Sequence, residues 1–166
     1  MSTLTFDSAS DEAKRWYSVD DCVMGGVSHS GFRTHGDEGR FTGETSLENG
    51  GGFASVRREP SAFEQSLPGA SGIAIFVYGD GRSYQLRLKS RALGDSSAYR
   101  AKFTPPSGEW QTLRFAWQDF EAVRRGKQLT DAPTLTPDGI YQLGFLIADR
   151  KAGAFCLRVR SLEALA

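Results

Sequence analysis

Apolar and polar residues alternate without a break in a short segment near the middle of the chain, Tyr84-Gln85-Leu86-Arg87-Leu88-Lys89. On a β-strand the apolar side chains of this segment would all point to one side and the polar ones to the other. A pairing shift of one residue would bury the charged side chains, so the register of this strand is strongly specified. The segment therefore predicts a strand that is buried on one face.

Strands with the same alternation are expected further along the chain, at Tyr99–Phe103 and Phe155–Arg160. Two more apolar segments, Ile73–Tyr78 and Leu143–Ala148, predict central strands covered on both faces. Further strands are predicted over Thr3–Asp7, Gly31–His35, Arg40–Glu48, Phe53–Arg58 and Gln111–Phe115. About ten short strands with turns between them indicate an all-β chain, folded as an antiparallel β-sandwich over residues 1–166 as a single domain.

Helix is expected only as one or two short turns, at Ser10–Trp16 and Trp117–Arg124. The polar stretch Arg125–Thr136, with Pro133 inside it, is predicted to be a surface loop.

Composition narrows the class of protein. The formal net charge is zero, which argues against a protein that coats nucleic acid. No segment approaches the roughly 20 apolar residues of a membrane span, so membrane insertion is not expected. The start of the chain lacks the basic and apolar stretches of a secretory signal, which predicts a cytoplasmic protein with Cys22 and Cys156 reduced.

Arginine makes up 15 of the 20 basic residues, and many of these arginines fall within predicted strands. The ordinary explanation is a set of solvated strand faces with local ion pairs. The alternative is a binding surface, since the planar guanidinium suits carboxylates, phosphates and aromatic faces.

No convincing catalytic constellation occurs in the sequence, and we expect neither enzymatic activity nor a cofactor. His29 and His35 could hold a metal together with Asp37, although exposed loop histidines are the simpler interpretation. Asp7 and Glu163, near the two ends of the chain, could contribute carboxylates to a Ca²⁺ site, but no ligand-rich loop accompanies them. We expect no bound metal.

Binding is the better supported activity. The loop Asn49–Phe53 contains three consecutive glycines, which would allow either a close ligand or a β-bulge. Arg57 follows this loop, and Asp21 is its expected carboxylate partner. The candidate binding residues are Asp21, Asn49, Arg57, Arg82, Arg100 and Trp110.

An ordered set of segments resembles the complex I intermediate-associated protein family. The segments are Trp16 with Asp20-Asp21, Met24–Ser28, Phe41–Gly43, Asn49–Arg57, Gly79–Tyr84, Tyr99–Ala101, Leu143–Phe145 and Gly153–Phe155. The resemblance implies a galactose-binding-like jelly roll without known catalysis, with its first and last strands adjacent.

The resemblance also implies a function, because mitochondrial members of this family assist the assembly of respiratory complex I. It therefore predicts a non-enzymatic, chaperone-like assembly factor. The expected partner is a protein, a subunit of a respiratory or other membrane complex. A carbohydrate- or other small-ligand-binding module is the alternative.

Overall fold

The computed structural model describes residues 3–6, 12–19, 29–47, 52–60, 69–94, 96–124, 127–137 and 139–165. Within them the strands in chain order are β1 (Thr3–Thr5), β2 (Trp16–Ser18), β3 (His29–His35), β4 (Glu38–Thr45), β5 (Ala54–Arg58), β6 (Gly72–Tyr78), β7 (Tyr84–Ser90), β8 (Ser97–Phe103), β9 (Trp110–Ala116), β10 (Glu121–Arg124), β11 (Lys127–Gln128), β12 (Ile140–Ile147) and β13 (Gly153–Leu165). Two 3₁₀ turns, Glu12–Arg15 and Trp117–Asp119, are the described helical segments.

These strands form two antiparallel sheets, which confirms the predicted β-sandwich. The first sheet has the order β3-β4-β13-β6-β9, with β1 also paired to β13. The second sheet has the order β11-β10-β8-β7-β12-β5-β2. Alternation along each strand directs one set of side chains between the sheets and the other set outwards.

The first and last strands are neighbours, as predicted. Thr3 pairs with Glu163 and Thr5 with Ser161. The long strand β13 pairs with β4 along its first half and with β6 along its second half. It therefore lies at the centre of the first sheet.

Aromatic side chains fill much of the space between the sheets. The Trp16 ring stacks on Phe32 of the first sheet at a centroid distance of 4.6 Å and on Phe145 of its own sheet at 5.8 Å. Trp16 is 7% exposed and Tyr84 is 1% exposed, so both belong to the core. Buried aromatic rings each remove a large apolar area from water, which makes them dominant contributors to the stability of such a core.

Two predictions about local structure are wrong. The helix expected over Trp117–Arg124 is a single 3₁₀ turn followed by strand β10, because Ala122 and Val123 are buried where β10 pairs with β8. The loop predicted over Arg125–Thr136 contains strand β11, and its Leu135 is only 2% exposed. The core thus extends under this segment despite its polar composition.

Candidate functional site: an arginine row on the second sheet

Strand pairing places one residue from each of five strands of the second sheet in a single row. Arg57 of β5 lies opposite Gly144 of β12, and Gly144 lies opposite Arg87 of β7. Arg87 in turn lies opposite Arg100 of β8, which faces Glu121 of β10. We call Arg57, Gly144, Arg87, Arg100 and Glu121 the arginine row.

The row lies on the outer face of the sheet because its strands alternate. Val56, Leu86 and Leu88 are at most 1% exposed and point into the core, so the arginines between or beside them point outwards. This confirms the two faces predicted for the segment 84–89.

Arg87 is the most perturbed member of the row. Burial, followed by repulsion from Arg100 and Arg57, lowers the pKa of its guanidinium to about 10. Its Nη1 donates a hydrogen bond to Gln85 Oε1 at 2.9 Å. No described carboxylate forms an ion pair with Arg87, so its described neighbours do not neutralise its charge.

The two arginines on either side of Arg87 differ in their partners. Arg100 Nε donates to Glu121 Oε1 at 2.7 Å, and the Arg100 side chain is 12% exposed. Arg57 has no ion pair with any described residue. Its expected partner, Asp21, lies outside the described residues.

A small cavity of about 40 Å³ opens above the row. Arg57, Arg87, Lys89, Gln142 and Gly144 are among the residues that line it. A Cβ atom on Gly144 would lie 2.4 Å from Val56 O and 3.4 Å from Arg57 Cγ. Glycine at this position therefore lets neighbouring strands approach closely and leaves the cavity floor bare.

An exposed aromatic residue stands at the edge of the same face. Tyr17 of β2 pairs with Arg57 and is 45% exposed. Its hydroxyl accepts a hydrogen bond of 2.8 Å from Gln142 Nε2, which also donates to Arg58 O. Gln142 thus fixes the tyrosine beside the cavity.

Arg82, another candidate from the sequence, is a structural clamp at one end of the sandwich. Its Nε and Nη2 donate to the two carboxylate oxygens of Asp149 at 2.9 and 2.6 Å. The guanidinium also donates to three backbone carbonyls and one hydroxyl, those of Lys151, Gly153, Ala154 and Thr45. These bonds occupy its donors, so Arg82 is not part of the arginine row.

Trp110 lies on the outer face of the other sheet. The guanidinium carbons of Arg158 and Arg160 lie 5.1 and 4.6 Å from its ring centroid, and Tyr78 packs against it at 5.5 Å. Glu38 holds Arg158 through hydrogen bonds to its Nε and Nη2. Trp110 is partly exposed, but the two sheets of the sandwich lie between it and Arg57 and Arg100.

The structure thus brings together two of the six candidates, Arg57 and Arg100. Asp21 and Asn49 lie outside the described residues. Arg87 was not a candidate from the sequence, although its alternation with leucines places it on a polar face. Arg87 is identified by its pairing opposite Gly144, and the sequence alone does not show this pairing.

Metal binding by the two histidines is inconsistent with the fold. His29 and His35 occupy opposite ends of β3, roughly 20 Å apart at about 3.3 Å per residue. Across the described ranges, the histidine, cysteine and acidic side chains form no cluster suited to a metal ion. Over those same ranges, no helix has the length and apolar character needed to cross a membrane.

The family model for complex I intermediate-associated protein 30 matches residues 4–159. The chain belongs to this family. The resemblance predicted from the motif segments is therefore confirmed.

A curated member of the family is the mitochondrial complex I intermediate-associated protein 30 of Neurospora crassa. It is 28% identical over 145 residues, which cover 78% of this chain and 52% of that protein. The chain thus spans about half the length of the curated relative it matches. That relative is mitochondrial, which contradicts the cytoplasmic localisation expected from the start of the sequence.

Solved structures of carbohydrate-binding modules share the fold. The family 11 module of a cellulosomal cellulase from Clostridium thermocellum superposes with a TM-score of 0.66 at 16% identity, covering 98% of this chain and 95% of the module. The Clostridium thermocellum family 11 module in complex with a β-1,3-1,4-mixed-linked tetrasaccharide gives 0.63 at 18% identity, covering 98% and 96%. At this identity the likeness establishes the jelly-roll fold alone.

Proposed function

We propose that this family member is a non-enzymatic assembly factor that binds a protein subunit of a respiratory complex through the outer face of its second sheet. Family membership supports the assembly role. The observation that carries the choice of surface is the arginine row, in which Arg57 and Arg87 have no described carboxylate partner. Surfaces enriched in arginine are common at protein interfaces, because the guanidinium combines charge, hydrogen bonds and stacking.

Crosslinking in the source organism tests this proposal. A photoreactive amino acid at position 102, an exposed position of β8 on the same face, should capture subunits or assembly intermediates of complex I. The same amino acid at position 114, exposed on β9 of the first sheet, is the matched control and should capture few of them. Equal capture from both positions, or recovery of no respiratory subunit from either, would contradict the proposal.

Loss of the protein provides a second test. A deletion strain should accumulate less intact complex I on native gels, and the wild-type chain should restore it. A normal level of complex I in the deletion strain would argue against an assembly role.

Carbohydrate binding is the second candidate function. The exposed Tyr17 beside Gln142 favours it, since an aromatic ring with adjacent polar groups can stack on a sugar ring. A glycan array should then give signals that Tyr17→Ala abolishes. An array without signal would remove this candidate and leave the assembly role unaffected.

A further inference from the structure

Positive charge dominates the outer face of the second sheet around the cavity. The cationic residues whose register places them on this face are Arg57, Arg87, Lys89, Arg100 and Lys102. On the described strands of this face, Glu121 is the acidic residue among them, and it is bound to Arg100. The described residues of this face therefore carry a local excess of positive charge although the whole chain has none.

Two of these cations flank the cavity. Arg57 and Arg87 lie on the strands either side of Gly144, roughly 10 Å apart at twice the spacing of adjacent strands. Gly144 between them has no side chain to fill the cavity, and Arg57, Gly144 and Arg87 all line it. A small anion in this space could accept hydrogen bonds from both guanidinium groups.

The size of the cavity limits what it can hold. About 40 Å³ accommodates a few water-sized atoms. Pockets that enclose whole small molecules measure roughly 300–1,000 Å³. The cavity therefore fits one chemical group of a larger partner, such as a carboxylate, and not a nucleotide or a sugar ring.

The unfavourable burial of the charged Arg87 side chain supports a ligand with negative charge. Burial and two like-charged neighbours oppose its ionised form and lower its pKa to about 10. An uncompensated buried cation is unfavourable to the fold. A bound carboxylate would offset both effects, and the arginine fork matches its planar geometry.

The geometry points to a carboxylate site: an acidic side chain of a protein partner inserts above Gly144 and is held between Arg57 and Arg87. This inference rests on the proposed function, because it names the chemistry of the segment that the assembly factor grips. Lys102, exposed on the adjacent row, attracts a further acidic residue of the same segment.

Titration with a peptide of six glutamates, blocked at both ends, tests the site by NMR of the arginine Nε–Hε groups. We expect the Arg57 and Arg87 signals and the Gly144 amide to shift, with the Arg114 signal unchanged. A glutamine peptide of the same length should leave all of them unchanged. Equal binding of both peptides, or glutamate-induced shifts spread over both sheets, would overturn the site.

Variants separate this site from general electrostatic attraction. Arg57→Gln and Arg87→Gln should each weaken binding of the glutamate peptide by about tenfold, the loss of one charge-assisted interaction. Arg114→Gln removes the same charge from the other sheet and should change affinity less than about twofold. Because Arg87 is partly buried, its replacement could also disturb the fold. Arg57→Lys keeps the charge and removes only the planar guanidinium, and we expect it to weaken binding about threefold. Equal weakening by Arg114→Gln would contradict the proposal.

Competition with inorganic phosphate is the final test of the site. If phosphate displaces the peptide and shifts the same signals at lower concentration, the cavity is a phosphate site and the proposal is wrong. The glutamate peptide could fail to bind while crosslinking from position 102 still captures complex I subunits. That result would support the assembly role and contradict the carboxylate site.

Discussion

Arg82 shows at the scale of one residue how a candidate chosen from sequence can have its hydrogen-bond donors occupied within the fold. It joins the loop after β6 to the loop before β13 through both carboxylate oxygens of Asp149, which is 67 positions away in the chain. Nothing within the local sequence indicates so distant a partner. The side chains of Arg82 and Asp149 are only 13% and 6% exposed, so the pair is buried as well as bidentate.

Breaking this pair should strongly destabilise the protein. We expect Arg82→Met to lower the free energy of unfolding by about 3–5 kcal/mol, because Asp149 would remain buried without its partner. Arg114→Met, at an exposed position of β9, should change it by less than about 0.5 kcal/mol. Urea melts provide the measurement, and equal stability of Arg82→Met and wild type would show that the clamp is unimportant.

The same pair should make stability depend on pH in acid. Burial raises the pKa of Asp149, but the hydrogen bond and charge of Arg82 outweigh it, so the pKa lies below the ordinary value of an aspartate. A carboxylate with a lowered pKa contributes stability that is complete above its unfolded pKa and is lost as pH falls through its folded pKa. Urea melts from about pH 6 down to pH 2 should therefore show a steep loss in wild type and a shallower one in Asp149→Asn. Parallel curves for the two proteins would contradict this assignment.

At the scale of the strand, the period-two pattern predicts most of the strands but not their pairing. The alternation in β7, β8 and β13 reports only that one face is buried, and this is enough to predict a sandwich. The arginine row depends on the register of β5, β12, β7 and β8, which is set by long-range contacts. Arg87 therefore could not be recognised from its own segment. Strand β10 was missed because its four residues are too few to show a clear period.

Replacing Arg87 tests how much a partly buried cation in the middle of the second sheet lowers the free energy of unfolding. We expect Arg87→Met to raise the free energy of unfolding by about 1 kcal/mol, since methionine fills a similar volume without a charge to desolvate. Lys102→Met, exposed on the neighbouring strand β8, is the matched control and should have an effect within about 0.5 kcal/mol. A marked loss of stability in Arg87→Met would mean that the arginine is there to support the fold.

At the scale of the whole molecule, the two sheets present different outer surfaces. The second sheet carries the arginine row around a bare glycine. On the first sheet, Trp110 is covered by Arg158 and Arg160, whose charges are partly engaged by the ring and by Glu38. On the second sheet, by contrast, Arg57 and Arg87 line a cavity and neither forms an ion pair with a described carboxylate.

Stability of the whole molecule should be independent of Ca²⁺. Glu163 pairs with Thr3 where the first and last strands meet, and Asp7, its expected companion in a calcium site, lies outside the described residues. Two carboxylates fall short of the six to eight oxygen ligands that Ca²⁺ takes. We expect a chelator to leave the melting temperature unchanged. A fall of several degrees that added Ca²⁺ reverses would contradict this prediction.

The central place of β13 has a consequence for biosynthesis. Translation produces β1, β4 and β6 long before β13, yet all three pair with it. During elongation the nascent first sheet therefore exists as separate pieces, a β3–β4 hairpin and a β6–β9 pair, each with an open hydrogen-bonding edge. Open edges of this kind recruit other strands. Until β13 has emerged, the described strands of the first sheet therefore leave edges exposed that the finished sheet covers.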